Sequence, residues 1–251
     1  TPHDSLFRQV FSDKEHAASF LQSYLPAHIL NLLDLDMLTI CKDSFVDKDL
    51  RYHYSDILYQ TNIKSTPCFI YFLFEHKRTC EQDIALQLLR YMVRIWELYL
   101  KQKNPLPLPI IIPLVIYNGK HKWHVRTDFI SLFHLPDPAL KPFIPDFQYT
   151  VYDFSARSDQ EIKGTVILQA TLMALKYITG HEPAKHLNKI FSLFKGLTKS
   201  NTALEYIETL LTYIASTTDK ITEQDIQKAI QQIDMEEIMP TLMQKWIEKG
   251  R

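Results

Sequence analysis

A chain of 251 residues is long enough for one large domain or a domain with an appendage, and 46% hydrophobic residues exclude a disordered polymer. The 5 glycines form no G-x-G-x-x-G or Walker-type lysine loop, and the 3 scattered cysteines (Cys41, Cys68, Cys80) fit neither a zinc site nor a disulfide framework. A net charge of −1 excludes a bulk-basic nucleic-acid coat, and the acidic excess lies in residues 205–251. Cysteine usage predicts a reducing cytoplasmic setting, and no charge-free apolar run approaches the ~20 residues of a membrane span.

Residues 3–25 read as helix with an internal restart. Leu6, Phe7, Val10 and Phe11 recur at helical spacing, as do Ala17, Phe20, Leu21 and Tyr24. Ser12 is the expected cap of the second part, with Glu15 as its capping-box partner. Leu35–Val46 is an expected strand, followed by a polar turn at Asp47–Arg51. Tyr52–Gln60 and Cys68–Lys77 then form a hairpin around the turn residues Asn62–Pro67. Cys68–Phe74 is apolar throughout, the pattern of a strand buried on both faces.

Thr79–Lys101 reads as a long amphipathic helix capped by Thr79 with Gln82, and its apolar stripe runs through Ile84, Leu88, Tyr91, Ile95 and Tyr99. Ile110–Tyr117 is a further strand, Asn118-Gly119 a turn, His121–Arg126 a short return strand and Asp146–Phe154 the last strand. Beyond residue 158 strand patterns stop. Asp159–Thr179, Pro183–Lys195, Thr202–Ser216, Glu223–Gln232 and Glu236–Lys249 read as helices, so the expected division is 1–158 and 159–251.

Glu75 and Lys77 share one face at the end of their strand, and His76 faces the other way. With the hairpin loop near Asn62–Pro67, Asp56 approximately opposes Glu75. Two carboxylates so close repel unless a cation joins them, and Mg²⁺ or Mn²⁺ suits hard oxygen ligands. The plain alternative is an edge-strand ion pair between Glu75 and Lys77. Gln87, Tyr91 and Arg94 share a helix face and line either a cleft or ordinary packing. Glu15 is a third carboxylate or a cap, and Asp4 a structural residue of the first helix. Asn118–Arg126 (NGKHKWHVR) holds cations, two histidines and a tryptophan without an acid. It reads equally as a phosphate-contacting patch and as a solvated tip, and His121 and His124 lack the further ligands a zinc site needs.

Tyr54-Ser55-Asp56, the apolar strand ending Glu75-His76-Lys77, and Gln87-Leu88-Leu89-Arg90-Tyr91-Met92 together resemble the recombination-promoting nuclease family, also labelled transposases, of the PD-(D/E)XK superfamily. His3–Arg8 and Pro113–Gly119 are similar to its pattern too, so the resemblance covers roughly residues 3–160. It implies an α/β fold: an α-β-β-β-α-β core with a central mixed sheet flanked by helices, followed here by a helical C-terminal region. It implies Asp56 and Glu75 as metal ligands, with the His76 main-chain carbonyl as a further one, Lys77 as the catalytic lysine and Gln87 beside them. The proline of the superfamily's name is replaced by Ser55.

The expected activity is Mg²⁺- or Mn²⁺-dependent DNA endonuclease chemistry, with Ca²⁺ as a further candidate ion. Sequence specificity is expected to be low, because no base-reading helix or zinc finger is visible. Expected partners are DNA and a second copy bound through the helical C-terminal region, with no membrane. The competing expectation is a non-catalytic DNA-binding or assembly module that keeps the fold.

Overall fold

Apolar strands and one long amphipathic helix build a five-stranded mixed sheet in the computed structural model, which describes residues 1–41, 56–75, 80–195, 201–231 and 244, with residues 56 and 201 described by backbone alone. The chain groups into two compact units: Tyr24–Ala156, and Thr1–Ser23 together with Arg157–Arg251.

In the first unit the strands are β1 (Thr39–Ile40), β2 (Asp56–Ile63), β3 (Thr66–Glu75), β4 (Ile110–Tyr117) and β5 (Thr150–Asp153), ordered in the sheet as in the chain. β1, β2 and β3 pair antiparallel, and β3, β4 and β5 pair parallel. The mixed α/β architecture matches the expectation. Of the predicted strand over Leu35–Val46 only Thr39–Ile40 is strand among the described residues; residues 42–55, including the Asp47–Arg51 turn, lie outside them.

The β2–β3 turn is tighter than the loop chemistry of Asn62–Pro67 suggests. Asn62 pairs with Pro67 and Ile63 with Thr66, so Lys64 and Ser65 alone make the turn, at φ 46° and 68°. Two consecutive left-handed residues match the right-handed twist of a hairpin. Two prolines are tolerated inside strands for positional reasons. Pro67 precedes the start of β4 pairing at Cys68, and Pro113 precedes the start of β5 pairing at Leu114.

Helix α4 (Ile84–Lys101) buries Ile84, Leu88, Tyr91, Met92, Ile95 and Tyr99 along one stripe. They pack with Phe69, Tyr71, Leu73, Ile111 and Val115, the odd-numbered face of β3 and β4. Each such side chain stabilises the fold by about 1.5–3 kcal/mol relative to exposure. The even-numbered positions Ile70, Phe72, Phe74, Leu114 and Ile116 are buried as well, as an all-apolar central strand requires. α4 begins at Ile84 rather than at Thr79, which lies outside the described residues; Asp83 is the N-cap, and the Gln82 amide stands 3.4 Å from the His124 ring instead of closing a capping box.

The second unit is helical: α1 (Pro2–Phe11), α2 (Lys14–Tyr24, whose last residue belongs to the first unit), α5 (Val166–Tyr177), α6 (Ala184–Ser192), α7 (Asn201–Thr217) and α8 (Glu223–Gln231). The four-residue helix α3 (Ala27–Leu30) precedes β1 in the first unit. Asp4 and Thr1 form a capping box on α1, which gives Asp4 its structural role. Ser12 closes α1 rather than capping α2. The Asp13 carboxylate accepts from the Glu15 N–H at 2.7 Å and its carbonyl from the Ala17 N–H at 3.0 Å. A carboxylate beside the positive end of a helix is the stronger cap, and Glu15 itself is exposed.

α1 packs on α5 and α7, held at its rim by His3 to the Tyr213 hydroxyl at 2.8 Å and the Gln9 amide donating to Thr209 at 2.8 Å. The predicted helix at Asp159 starts seven residues later. Gly164 takes φ 113° and Thr165 caps α5 by accepting from the Leu168 N–H. Before it, the Asp159 carboxylate accepts from the Tyr177 hydroxyl and the Lys189 ammonium, with Lys176 at 3.6 Å. The helix expected at Glu236–Lys249 lies outside the described residues except for the helical Gln244.

Candidate functional site

Parallel pairing of β3, β4 and β5 lines up three residues at one sheet end. Glu75 pairs with Tyr117, and Tyr117 with Asp153. Residues directly across a ladder share a face, so all three lie on the face covered by α4. Glu75 is only 5% exposed. A carboxylate that buried at a strand terminus needs a compensating charge or hydrogen bonds.

The register of the hairpin sets the place of Asp56. It pairs with Leu73, not with Glu75, because the hairpin is centred between Lys64 and Ser65. Leu73 and Glu75 are two apart, so positions 56 and 75 are diagonal neighbours on one face, a separation of about 7–8 Å between backbone positions. His76 and Lys77 lie outside the described residues.

The helix residues part company. Tyr91 is buried and its ring meets Tyr71 at 5.5 Å, which is core packing. Arg94 is exposed and bonds Glu97 at 2.9 Å one turn on. Gln87 is half-buried at the edge of the packed stripe. Among the described residues no group of three or more histidine, cysteine or carboxylate side chains is gathered as a metal cluster.

Sequence reasoning did not find the rest of the strand-end row. Burial pushes the Tyr117 hydroxyl well above the ordinary tyrosine pKa, and the Cys80 thiol and the Asp153 and Glu75 carboxylates push it the same way. Tyr117 therefore stays protonated among acidic groups. The Asp153 carboxylate accepts from the Trp123 N–H at 2.8 Å and from the Ser155 N–H and hydroxyl at 2.9 and 2.6 Å.

These bonds shape residues 118–126 into a pinned loop, not the return strand expected at His121–Arg126. The Asn118 N–H donates to the Glu75 carbonyl at 2.9 Å, and the Tyr149 hydroxyl donates to the Arg126 carbonyl at 2.8 Å. The Trp123 ring stands edge-on to Tyr117 at 5.0 Å and Tyr149 at 6.4 Å, and its indole N–H bonds the Val125 carbonyl at 2.7 Å. Side chains thus satisfy backbone groups that a strand ladder would otherwise take.

Comparison with known proteins adds a family. The sequence pattern of a family described as "Putative transposase, YhgA-like" matches residues 1–205. The chain is 30% identical over 224 residues to Recombination-promoting nuclease RpnA of Escherichia coli K12, covering 88% of this chain and 74% of that protein. It is 29% identical over 162 residues to Recombination-promoting nuclease RpnD of Escherichia coli O157:H7, covering 64% and 62%. It is 25% identical over 216 residues to a protein of Escherichia coli K12 named Inactive recombination-promoting nuclease-like protein RpnE, covering 85% and 70%. No solved structure matches. No described helix is long and apolar enough to cross a membrane.

Proposed function

Because the chain belongs to the YhgA-like transposase family, whose similar members are named recombination-promoting nucleases, we propose that it is a metal-dependent DNA endonuclease of low sequence specificity. The observation that carries the reading is the buried Glu75 at the end of the central strand, with position 56 diagonal to it on the same face. Two carboxylates at that spacing fit a hard divalent ion that keeps water and phosphate oxygens in its remaining positions. Asp56 and Glu75 would hold Mg²⁺ or Mn²⁺, with Ca²⁺ as a further candidate and the His76 carbonyl as an added ligand. Such an ion, when bound, lowers the pKa of a coordinated water and offsets charge on the phosphate.

Lys77, two residues on from Glu75, would orient or deprotonate the attacking water and offset negative charge as it develops. Gln87 would line the cleft from α4 and hold the water or a phosphate oxygen by its amide. Burial of Glu75 removes competing solvent and strengthens each electrostatic contact there.

Plasmid nicking with Mg²⁺, Mn²⁺ and Ca²⁺ tests this. Asp56→Ala and Lys77→Ala are expected to abolish cutting while melting like the wild type; folded variants that cut at the wild-type rate would refute the site. The name of the inactive relative favours a second reading, a non-catalytic module that binds DNA or assembles with protein. Titration calorimetry separates the two. Mn²⁺ binding that disappears in Asp56→Ala supports the nuclease, and absence of any Asp56-dependent binding supports the module.

A further inference from the structure

The loop of residues 118–126 is tied at its beginning and middle to the row that carries Glu75 and Asp153, and at its end to Tyr149, just before β5. Its apolar side chains turn inward: Trp123 and Val125 are half-buried against the core that includes Tyr149. Its charged and imidazole groups turn outward: Lys120, His121, Lys122, His124 and Arg126 are all exposed. No acidic residue occurs between Tyr117 and Asp128. Arg126 is paired with Asp128 at 2.8 Å, whereas Lys120 and Lys122 have no ion-pair partner among the described residues.

We propose that this loop is a backbone clamp for duplex DNA: Lys120 and Lys122, with the imidazoles of His121 and His124, bind phosphates beside the strand end that carries Glu75. The nature of the polymer rests on the nuclease reading. One observation argues against a membrane, and two suit the loop to a phosphate backbone. A membrane-inserting loop would expose its tryptophan, and here Trp123 is the anchor instead. Lysine is a point charge without the fork that reads guanine, so the loop positions DNA without selecting sequence. The anchors fix the loop before binding, so little order is lost when DNA arrives. The Asn118 N–H bond to the Glu75 carbonyl sets the reach. Lys120 follows Asn118 by two residues and lies within about 7 Å of it along the backbone.

The test is fluorescence anisotropy of a labelled 20-base-pair duplex in metal-free buffer, comparing the full chain with its Lys120→Ser/Lys122→Ser variant across 50–200 mM KCl. Two lost phosphate contacts lower the slope of log affinity against log salt by about 1.8, so wild type loses about 12-fold more affinity than the variant over that range. Equal slopes and equal affinities would overturn the clamp. So would a variant that keeps DNA affinity but loses binding to phosphatidylserine vesicles. The two proposals fail separately. Lysine-dependent binding without any cutting leaves the clamp and sinks the nuclease; cutting with lysine-independent binding does the reverse.

Discussion

Replacing Tyr117 by phenylalanine removes one oxygen from the most acidic part of the sheet end. The residue is fully buried, and its hydroxyl has no conventional hydrogen bond among the described residues, although the Cys80 thiol beside it contributes to its raised pKa. Sulfur is a weak partner. A buried hydroxyl without a full partner costs about 1–3 kcal/mol, and the thiol recovers part of that. Tyr117→Phe is therefore expected to be neutral or to stabilise by about 1 kcal/mol, raising Tm by about 2–4 °C for a chain of this size. Tyr117→Ala also removes the ring against which Trp123 packs at 5.0 Å. That loss is worth about 3–5 kcal/mol by the usual cost of truncating a buried aromatic. Urea unfolding followed by circular dichroism, with calorimetry for Tm, measures both. A loss of more than about 1 kcal/mol in Tyr117→Phe would refute the reasoning, since it would show the hydroxyl to be a well-made bond.

Two further outcomes follow from the geometry. Lys64 and Ser65 both sit at positive φ, where residues other than glycine and asparagine are strained by about 1–2 kcal/mol each. Lys64→Asn with Ser65→Gly should raise stability by about 1 kcal/mol in chemical denaturation; no gain would argue against the two-residue turn. Burial raises the Asp159 pKa, but Lys189, Tyr177 and Lys176 outweigh it and hold the carboxyl below its ordinary value. Its stabilising share is therefore present above the unfolded-state pKa of ~3.9 and lost as pH falls through the lower folded value. Asp159→Asn should cost about 2–3 kcal/mol at pH 7, with the difference shrinking below about pH 4; a pH-independent difference would refute the charge-based account.

Much of the fold was legible because two periodicities are strong. The apolar runs of β3 and β4 announce strands buried on both faces, and the stripe of α4 announces a helix on the sheet. The failures are of two kinds. Ser12 and Thr79 have good capping chemistry, yet α2 begins after Asp13, whose carboxylate accepts from the nearby Glu15 N–H, and α4 begins after Asp83, which is its N-cap by backbone position alone. His121–Arg126 alternates like a strand, but Asp153 and Tyr149 take its backbone groups, from about 23 to 30 residues further along the chain. Local pattern cannot register a partner so distant in sequence.

The candidate site divides in the same way. Glu75 and Asp56 share a face because side chains alternate along strands and a hairpin joins them, and both facts are local. Their diagonal offset depends on the hairpin being centred between Lys64 and Ser65. The alignment of Glu75 with Tyr117 and Asp153, and the pinning of the lysine-bearing loop beside them, come from parallel pairing of strands separated by long connections. The sequence by itself determined the element types and the chemical character of the site, because periodicity and side-chain chemistry are local properties. Only the tertiary structure decided register, the grouping of the first two helices with the C-terminal ones, and the fate of the 118–126 segment. Those depend on which distant groups satisfy one another once water is excluded.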